Sequence, residues 1–307
     1  MNKKTSLFLF FVTMLALWLN VAFSLAFFGV DYVLRQVNFD IDQYIYTVMG
    51  IGLTGAIGAV FFSAMIARFM VGVTLIRVPS TYLEKWLFTS IERQSRQLGI
   101  SMPKIGVFYA SDLNAFTTGW GQRNAMFAVS SGLLETLDQD ELEAVIGHEL
   151  AHIENGDMVS LAMTQGIVVS LSLLPARIFG FLIDELLLRR NNREGFTYRT
   201  IYWLCMLLFA ALPHFVVMWF SRKREFSADT TSAIINGADK MISALKRLSK
   251  NTHHSLLSEQ ITALGITSGV FEGLAGRMSK LSLVFCSHPS LIKRINAIEK
   301  QLINYHS

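Results

Sequence analysis

Four stretches of this 307-residue chain are apolar over helical lengths, at 6–30, 44–67, 158–176 and 201–220, with polar sequence between them. The first, "SLFLFFVTMLALWLNVAFSLAFFGV", carries no charge, and it and the second exceed the roughly 20 residues that cross a hydrocarbon core. "MNKK" stands before the first run. The run is too long for a secretory leader, and small-x-small matches such as Ala22-Phe23-Ser24 lie inside it, so it reads as an uncleaved signal-anchor.

The polar stretches carry other periods. "TYLEKWLFTSIERQSRQLGI" predicts an amphipathic helix ended by Gly99, and residues 104–137 alternate short β-prone runs with turn residues, as in a hairpin or meander. In "DQDELEAVIGHELAHIENG", Asp138 and Glu141 have the spacing of a capping box and Gly156 that of a helix stop. Residues 222–307 read as mostly helical, and Leu291, Ile295, Ile298 and Leu302 form a core-facing stripe on the last helix. Neither an internal repeat nor a low-complexity tract is present.

Composition sharpens this into a membrane protein. Hydrophobic residues make up 52% and charged residues 16%, against about 25% charged in a soluble domain. The net charge of +4 is modest, and Lys and Arg gather beside apolar runs, which expresses membrane topology and gives no support to nucleic-acid binding. Lys3 and Lys4 precede the first run, and Arg68, Arg77, Lys85, Arg93 and Arg96 follow the second. Between them Arg35 stands with Asp31, Asp40 and Asp42. Both the N-terminus and the region after residue 68 are therefore expected in the cytosol. The loop between runs three and four carries Arg189, Arg190, Arg193 and Arg199. Either the first helices dominate the topology, or the last two runs form a hairpin that does not fully cross. Cys205 lies in an apolar run and Cys286 in a polar one, so both read as buried thiols in a reducing compartment.

The chemistry sits in "HELAH". On a helix, His148 and His152 are four apart on one face and can present nitrogens to a single metal ion. Glu149 projects beside the pair, where a general base takes a proton from water. A catalytic zinc needs a third protein ligand and an open position. Glu225, in "SRKREFSADTTSA", is the candidate, with Asp229 one turn on to hydrogen-bond the back of an imidazole. Spacing alone leaves both open to a solvated helix face among Arg222, Lys223 and Arg224.

"HELAH", an apolar pair and then "SRKREFSAD" resemble the HtpX-like membrane zinc metalloproteases, relatives of the CAAX prenyl proteases, over nearly the whole chain. The resemblance implies one zinc per chain, with His148, His152 and Glu225 as ligands, Glu149 as base and Asp229 behind a ligand. "LNAFTTG" resembles the family's edge-strand segment, which implies a substrate groove lined by Asn114 and Ala115. "SHPSLIKRI" resembles its late His-Pro segment, which implies that His288 and Arg294 steady the oxyanion and the substrate carbonyls. His214, beside Pro213 in an apolar run, gets no role.

The expected fold is a mainly α membrane protein, with four hydrophobic helices and a cytosolic α+β zincin-like protease domain holding a small β-sheet. Residues 1–68 would hold two transmembrane helices, 69–157 the first part of the protease domain, 158–220 a hydrophobic helical hairpin and 221–307 the second part. His152 lies six residues before the third run and Glu225 five after the fourth. At about 1.5 Å per helical residue, both are within roughly 10 Å of a membrane helix end. The expected enzyme is a zinc endopeptidase of the bacterial inner membrane with a cytosolic active site. Its partners would be the lipid bilayer and misfolded or unassembled membrane proteins, with a link to quality control implied by the resemblance. A CAAX-type processing protease and a non-catalytic zinc-containing membrane adaptor are the alternatives.

Overall fold

The computed structural model describes residues 41–161, 219–251 and 289–306, with isolated positions at 164, 200 and 204. The first, third and fourth apolar runs therefore lie outside the described residues almost entirely, as do Cys205, His214, Cys286 and His288. The second run falls on α1 (Ile41–Val71), whose side chains are described only in part. Among the described residues, no helix is long and apolar enough to cross a membrane.

The chain divides into two units, 1–58 with 162–217 and 59–161 with 218–307. The described residues of the first belong mainly to α1. The second is mainly helical and contains β1 (Thr74–Leu75), α2 (Tyr82–Gln97), β2 (Lys104–Phe108), β3 (Ala115–Thr118), β4 (Met126–Ser130), α3 (Ser131–Thr136) and α4 (Gln139–Asn155). After these come α5, described over 219–236, then α6 (Ala238–Asn251) and α7 (Leu291–His306).

The four strands form one mixed sheet in the order β1-β2-β4-β3. β2 runs parallel to β4, while β3 pairs antiparallel with β4 and ends the sheet as an edge. The β3–β4 hairpin agrees with the sequence pattern, but a meander does not, because β4 rather than β3 lies against β2. Short β-prone runs identify strands without saying which pairs with which. β4 shows why it takes the central place: all five of its residues are buried. Met126 and Ala128 pack on one face with Phe108, Phe116 and Ala67 of α1. Phe127 and Val129 face the main core, with Leu87 and Ile91 of α2, Ile146, Leu150 and Ile153 of α4, Met241 and Leu245 of α6 and Ile298 of α7. The predicted stripe on the last helix is thus seated at Ile298, with Leu291 and Ile295 packed against the same core.

α4 runs through the middle of this core, and both its ends are set by local chemistry. Asp138 accepts from the Glu141 amide at 2.8 Å, and Glu141 Oε2 accepts in return from the Asp138 amide at 3.3 Å. Such a cap contributes about 1 kcal/mol. At the other end Gly156 adopts φ 71°, the left-handed conformation that glycine takes without a side-chain clash. α2 is delimited in the same way, by a Thr81–Glu84 capping box and by Gly99 at φ 66°.

Candidate metal centre

α4 and α5 meet at very short range. Gly147 makes this possible: a Cβ there would overlap Asn236 Nδ2 and stand 2.8 Å from Ser232 Oγ. In the space so left, the Ser232 hydroxyl donates to the Ala144 carbonyl at 2.6 Å and Asn236 Nδ2 to the Glu143 carbonyl at 3.0 Å. These buried bonds fix the register of α5 against α4. That register sets Glu225 and Asp229 opposite the two histidines.

The three expected ligands converge. His148 Nε2 lies 3.2 Å from His152 Nε2. Glu225 offers Oε2 at 3.5 Å from His148 Nε2 and Oε1 at 3.5 Å from His152 Nε2. Ligand atoms about 2.0–2.1 Å from a tetrahedral zinc stand roughly 3.4 Å apart, so the spacing suits such an ion. The chemistry of the donors suits it too. His148 Nδ1 is 2.9 Å from Asp229 Oδ1, and His152 Nδ1 is 2.7 Å from Asp157 Oδ2. When the neutral imidazoles spend their N–H on these carboxylates, both Nε2 lone pairs face one another and the Glu225 carboxylate. Such a cage is stable only around positive charge.

The electrostatics agree. Burial opposes a charge on His148, but the hydrogen bonds to Asp229 and Glu225 outweigh it and push the imidazole up to about 10 in the metal-free protein. Glu149 is also buried, and that burial raises its carboxyl above the ordinary range, against the pull of His152 and His148. Asp229 is held below its ordinary value: burial works against its ionisation, but His148 and Arg294 outweigh that.

Asp229 thus stands where the sequence placed it, against the back of His148. Arg294 is buried against the same carboxylate. Only 8% exposed, it donates from Nε to Asp229 Oδ2 at 2.7 Å and from Nη2 to Oδ1 at 2.5 Å, and Nη1 lies 3.4 Å from Glu225 Oε2. Its charge is directed at two buried carboxylates, the ligand Glu225 and Asp229 behind His148. Asn114 immediately precedes β3. Its amide donates to Ser130 Oγ at 3.1 Å and its carbonyl accepts from the Ser130 amide at 2.9 Å, so its main chain is engaged by β4. Ala115 begins β3 and packs against the main core.

Two residues of the site escaped the sequence reading. Asp157 follows the helix stop, where a carboxylate looks like a solvated loop residue. The structure buries it against His152 and donates Arg224 Nη1 to its carbonyl at 2.9 Å. Its closeness in sequence to His152 was the available signal. Thr117 donates from Oγ1 to Glu149 Oε2 at 3.2 Å, a contact 32 positions apart with no sequence signature.

Comparison with known proteins accords with this centre. The model of peptidase family M48 matches residues 82–302. A protease HtpX homolog of Nitrosomonas eutropha is 38% identical over 297 residues, which is 95% of this chain and 98% of the relative. Protease HtpX of Pseudomonas syringae pv. tomato is 38% identical over 296 residues, again 95% and 98% of the two chains. Protease HtpX of Xanthomonas axonopodis pv. citri is 42% identical over 248 residues, 78% of this chain and 82% of the other. The solved structure of S. mikatae Ste24p shares the fold at a TM-score of 0.54 and 16% identity, covering 94% of this chain and 66% of that one. On the family match across most of its length and the relatives that align end to end with it, the chain belongs to peptidase family M48 and is a metalloprotease.

Proposed function

We propose that this metalloprotease is a membrane-embedded zinc endopeptidase that cleaves cytosolic segments of membrane proteins, misfolded or unassembled ones among them. The observation that carries the zinc reading is the convergence of His148, His152 and Glu225, with Glu149 buried beside them. The membrane reading rests on the four apolar runs and the Lys and Arg counts around them. In it, residues 1–68 and 158–220 carry hydrophobic helices, 69–157 and 221–307 form the protease domain, and the active site faces the cytosol of a bacterial cell.

Zinc held by His148, His152 and Glu225 supplies Lewis acidity towards water and the scissile carbonyl. Glu149 takes the proton from the attacking water and delivers it to the leaving amine. Asp229 and Asp157 orient the two imidazoles from behind, and Arg294 pairs with Asp229 and Glu225 so that these two carboxylates coexist in one buried site. An extended substrate lies along the open edge of β3 and pairs with its main chain. His288, outside the described residues, keeps its proposed oxyanion role on the resemblance of "SHPSLIKRI".

The test is cleavage by detergent-purified protein prepared under chelator, then given zinc together with an unfolded test protein and, separately, a co-expressed membrane substrate. Wild type is expected to cut both. Glu149→Gln is expected to bind zinc and cut neither, a loss of at least about 100-fold. Loss of zinc from Glu149→Gln would mean that the roles are misassigned, and a full-length substrate with zinc-loaded wild type would favour the adaptor.

A further inference from the structure

The base itself has a holder. Glu149 is buried, and among the described residues Thr117 is the one side chain that hydrogen-bonds its carboxylate, at Oε2. Thr117 lies on β3, the edge strand, opposite Phe127 of β4. Side chains alternate along a strand. Phe116 and Thr118 are the buried positions of β3, with Phe116 in the core on the α1 face, so Ala115 and Thr117 face α4 on the other side.

The main chain of Thr117 is also placed by the register. In an antiparallel ladder, residues alternate between those that exchange hydrogen bonds with the partner and those whose N–H and C=O point away. Asn114, opposite Ser130, is of the first kind, since its carbonyl accepts the Ser130 amide. Counting along β3 makes Phe116 and Thr118 bonded to β4 as well. Ala115 and Thr117 turn their main-chain groups to the outer edge of β3, where no described strand pairs.

We propose that Thr117 is a positioning residue that joins substrate binding to the base. Its hydroxyl holds Oε2 of Glu149, leaving Oε1 as the oxygen that carries the proton, while its own N–H and C=O pair with an extended peptide laid on the edge of β3. A substrate strand seated on Thr117 is thereby registered against the carboxylate that serves its scissile bond. The proposal rests on the reading of Glu149 as the base.

The experiment compares Thr117→Val, which keeps shape and loses the hydroxyl, with Thr117→Ser, which keeps the hydroxyl. Full-length, zinc-loaded protein in detergent is assayed on an unstructured peptide, with metal content and melting temperature as controls. Thr117→Val is expected to lose roughly 10–100-fold in kcat with KM within about two-fold, the effect of a misplaced group at fixed binding. Thr117→Ser is expected to stay within about three-fold of wild type. Metal-free protein gives a second readout: Thr117→Val lowers the melting temperature of wild type but not of Glu149→Leu, where the acceptor is gone. Wild-type kcat in Thr117→Val, equal losses in Val and Ser, or a change confined to KM would each overturn the proposal. If zinc-loaded Thr117→Val loses metal or is no longer folded at the assay temperature, Thr117→Ser against Thr117→Ala decides by the same criteria. Glu149→Gln run alongside separates the two readings: an active Glu149→Gln removes the base, whereas an inactive one beside a fully active Thr117→Val removes Thr117 alone.

Discussion

Asp229 Oδ1 stands 2.9 Å from His148 Nδ1, and the same carboxylate receives two hydrogen bonds from Arg294 of the last helix. A ligand from α4, a carboxylate from α5 and a guanidinium from α7 thus meet in one cluster, with Arg294 Nη2 also 3.3 Å from His148 Nδ1. Replacing Asp229 by Asn removes the negative charge from that cluster. Metal affinity is expected to fall about 10–100-fold. Folding stability is expected to drop by about 3–5 kcal/mol, because Arg294 is left buried without its main counter-charge. Chelator competition and denaturant unfolding measure the two effects separately.

Asp157 is expected to behave as the equivalent residue for His152. Asp157→Ala leaves the imidazole free to rotate and to change tautomer, lowering metal affinity by about 10–100-fold. Asp157→Asn retains an oxygen acceptor for Nδ1 and should lie between the two in the same competition assay. Equal affinities in all three proteins would remove Asp157 from the site.

Gly147 tests how packing governs chemistry. A methyl group there meets Asn236 and Ser232, whose hydrogen bonds to α4 set the approach of α5. Gly147→Ala is expected to cost about 1–3 kcal/mol by overpacking. Because α5 carries Glu225, weaker metal binding should accompany the lower stability. Gly121→Ala, at a position where a Cβ meets nothing within 4 Å, is the control and should leave metal binding unchanged.

Removal of metal should itself destabilise the protein. With free zinc about 100-fold above its dissociation constant, binding contributes about 2.7 kcal/mol. Chelator is expected to lower the melting temperature of wild type and to have no effect on His148→Ala, which lacks a ligand. A chelator shift of equal size in both proteins would place the bound metal elsewhere.

Local features were legible along the chain because their causes are local. The Asp138–Glu141 cap, the Gly99 and Gly156 stops and the four-residue spacing of His148 and His152 all depend on residues within one or two helical turns. Strand order was not, since β2 and β4 are parallel neighbours with β3 intervening in sequence but lying outside them. Arg294 was legible as a residue of the site, but its buried partners were not. An arginine six positions after His288 carries no sequence mark of the carboxylate it meets, and only the packing of α7 brings it to Asp229.

The sequence by itself determined the helix that carries His148 and His152 and set Glu149, the proposed base, beside them, and its hydropathy marked the apolar runs on which the membrane reading rests. The tertiary structure decided what stands around those residues. It brought Glu225 and Asp229 to within hydrogen-bond range of α4 through the space left at Gly147, turned Arg294 onto Asp229, buried Asp157 behind His152 and set the Thr117 hydroxyl on Glu149. The reason is physical: a buried charge must find its partners in space, and those partners come from whichever helix or strand packs against it rather than from the next turn of its own.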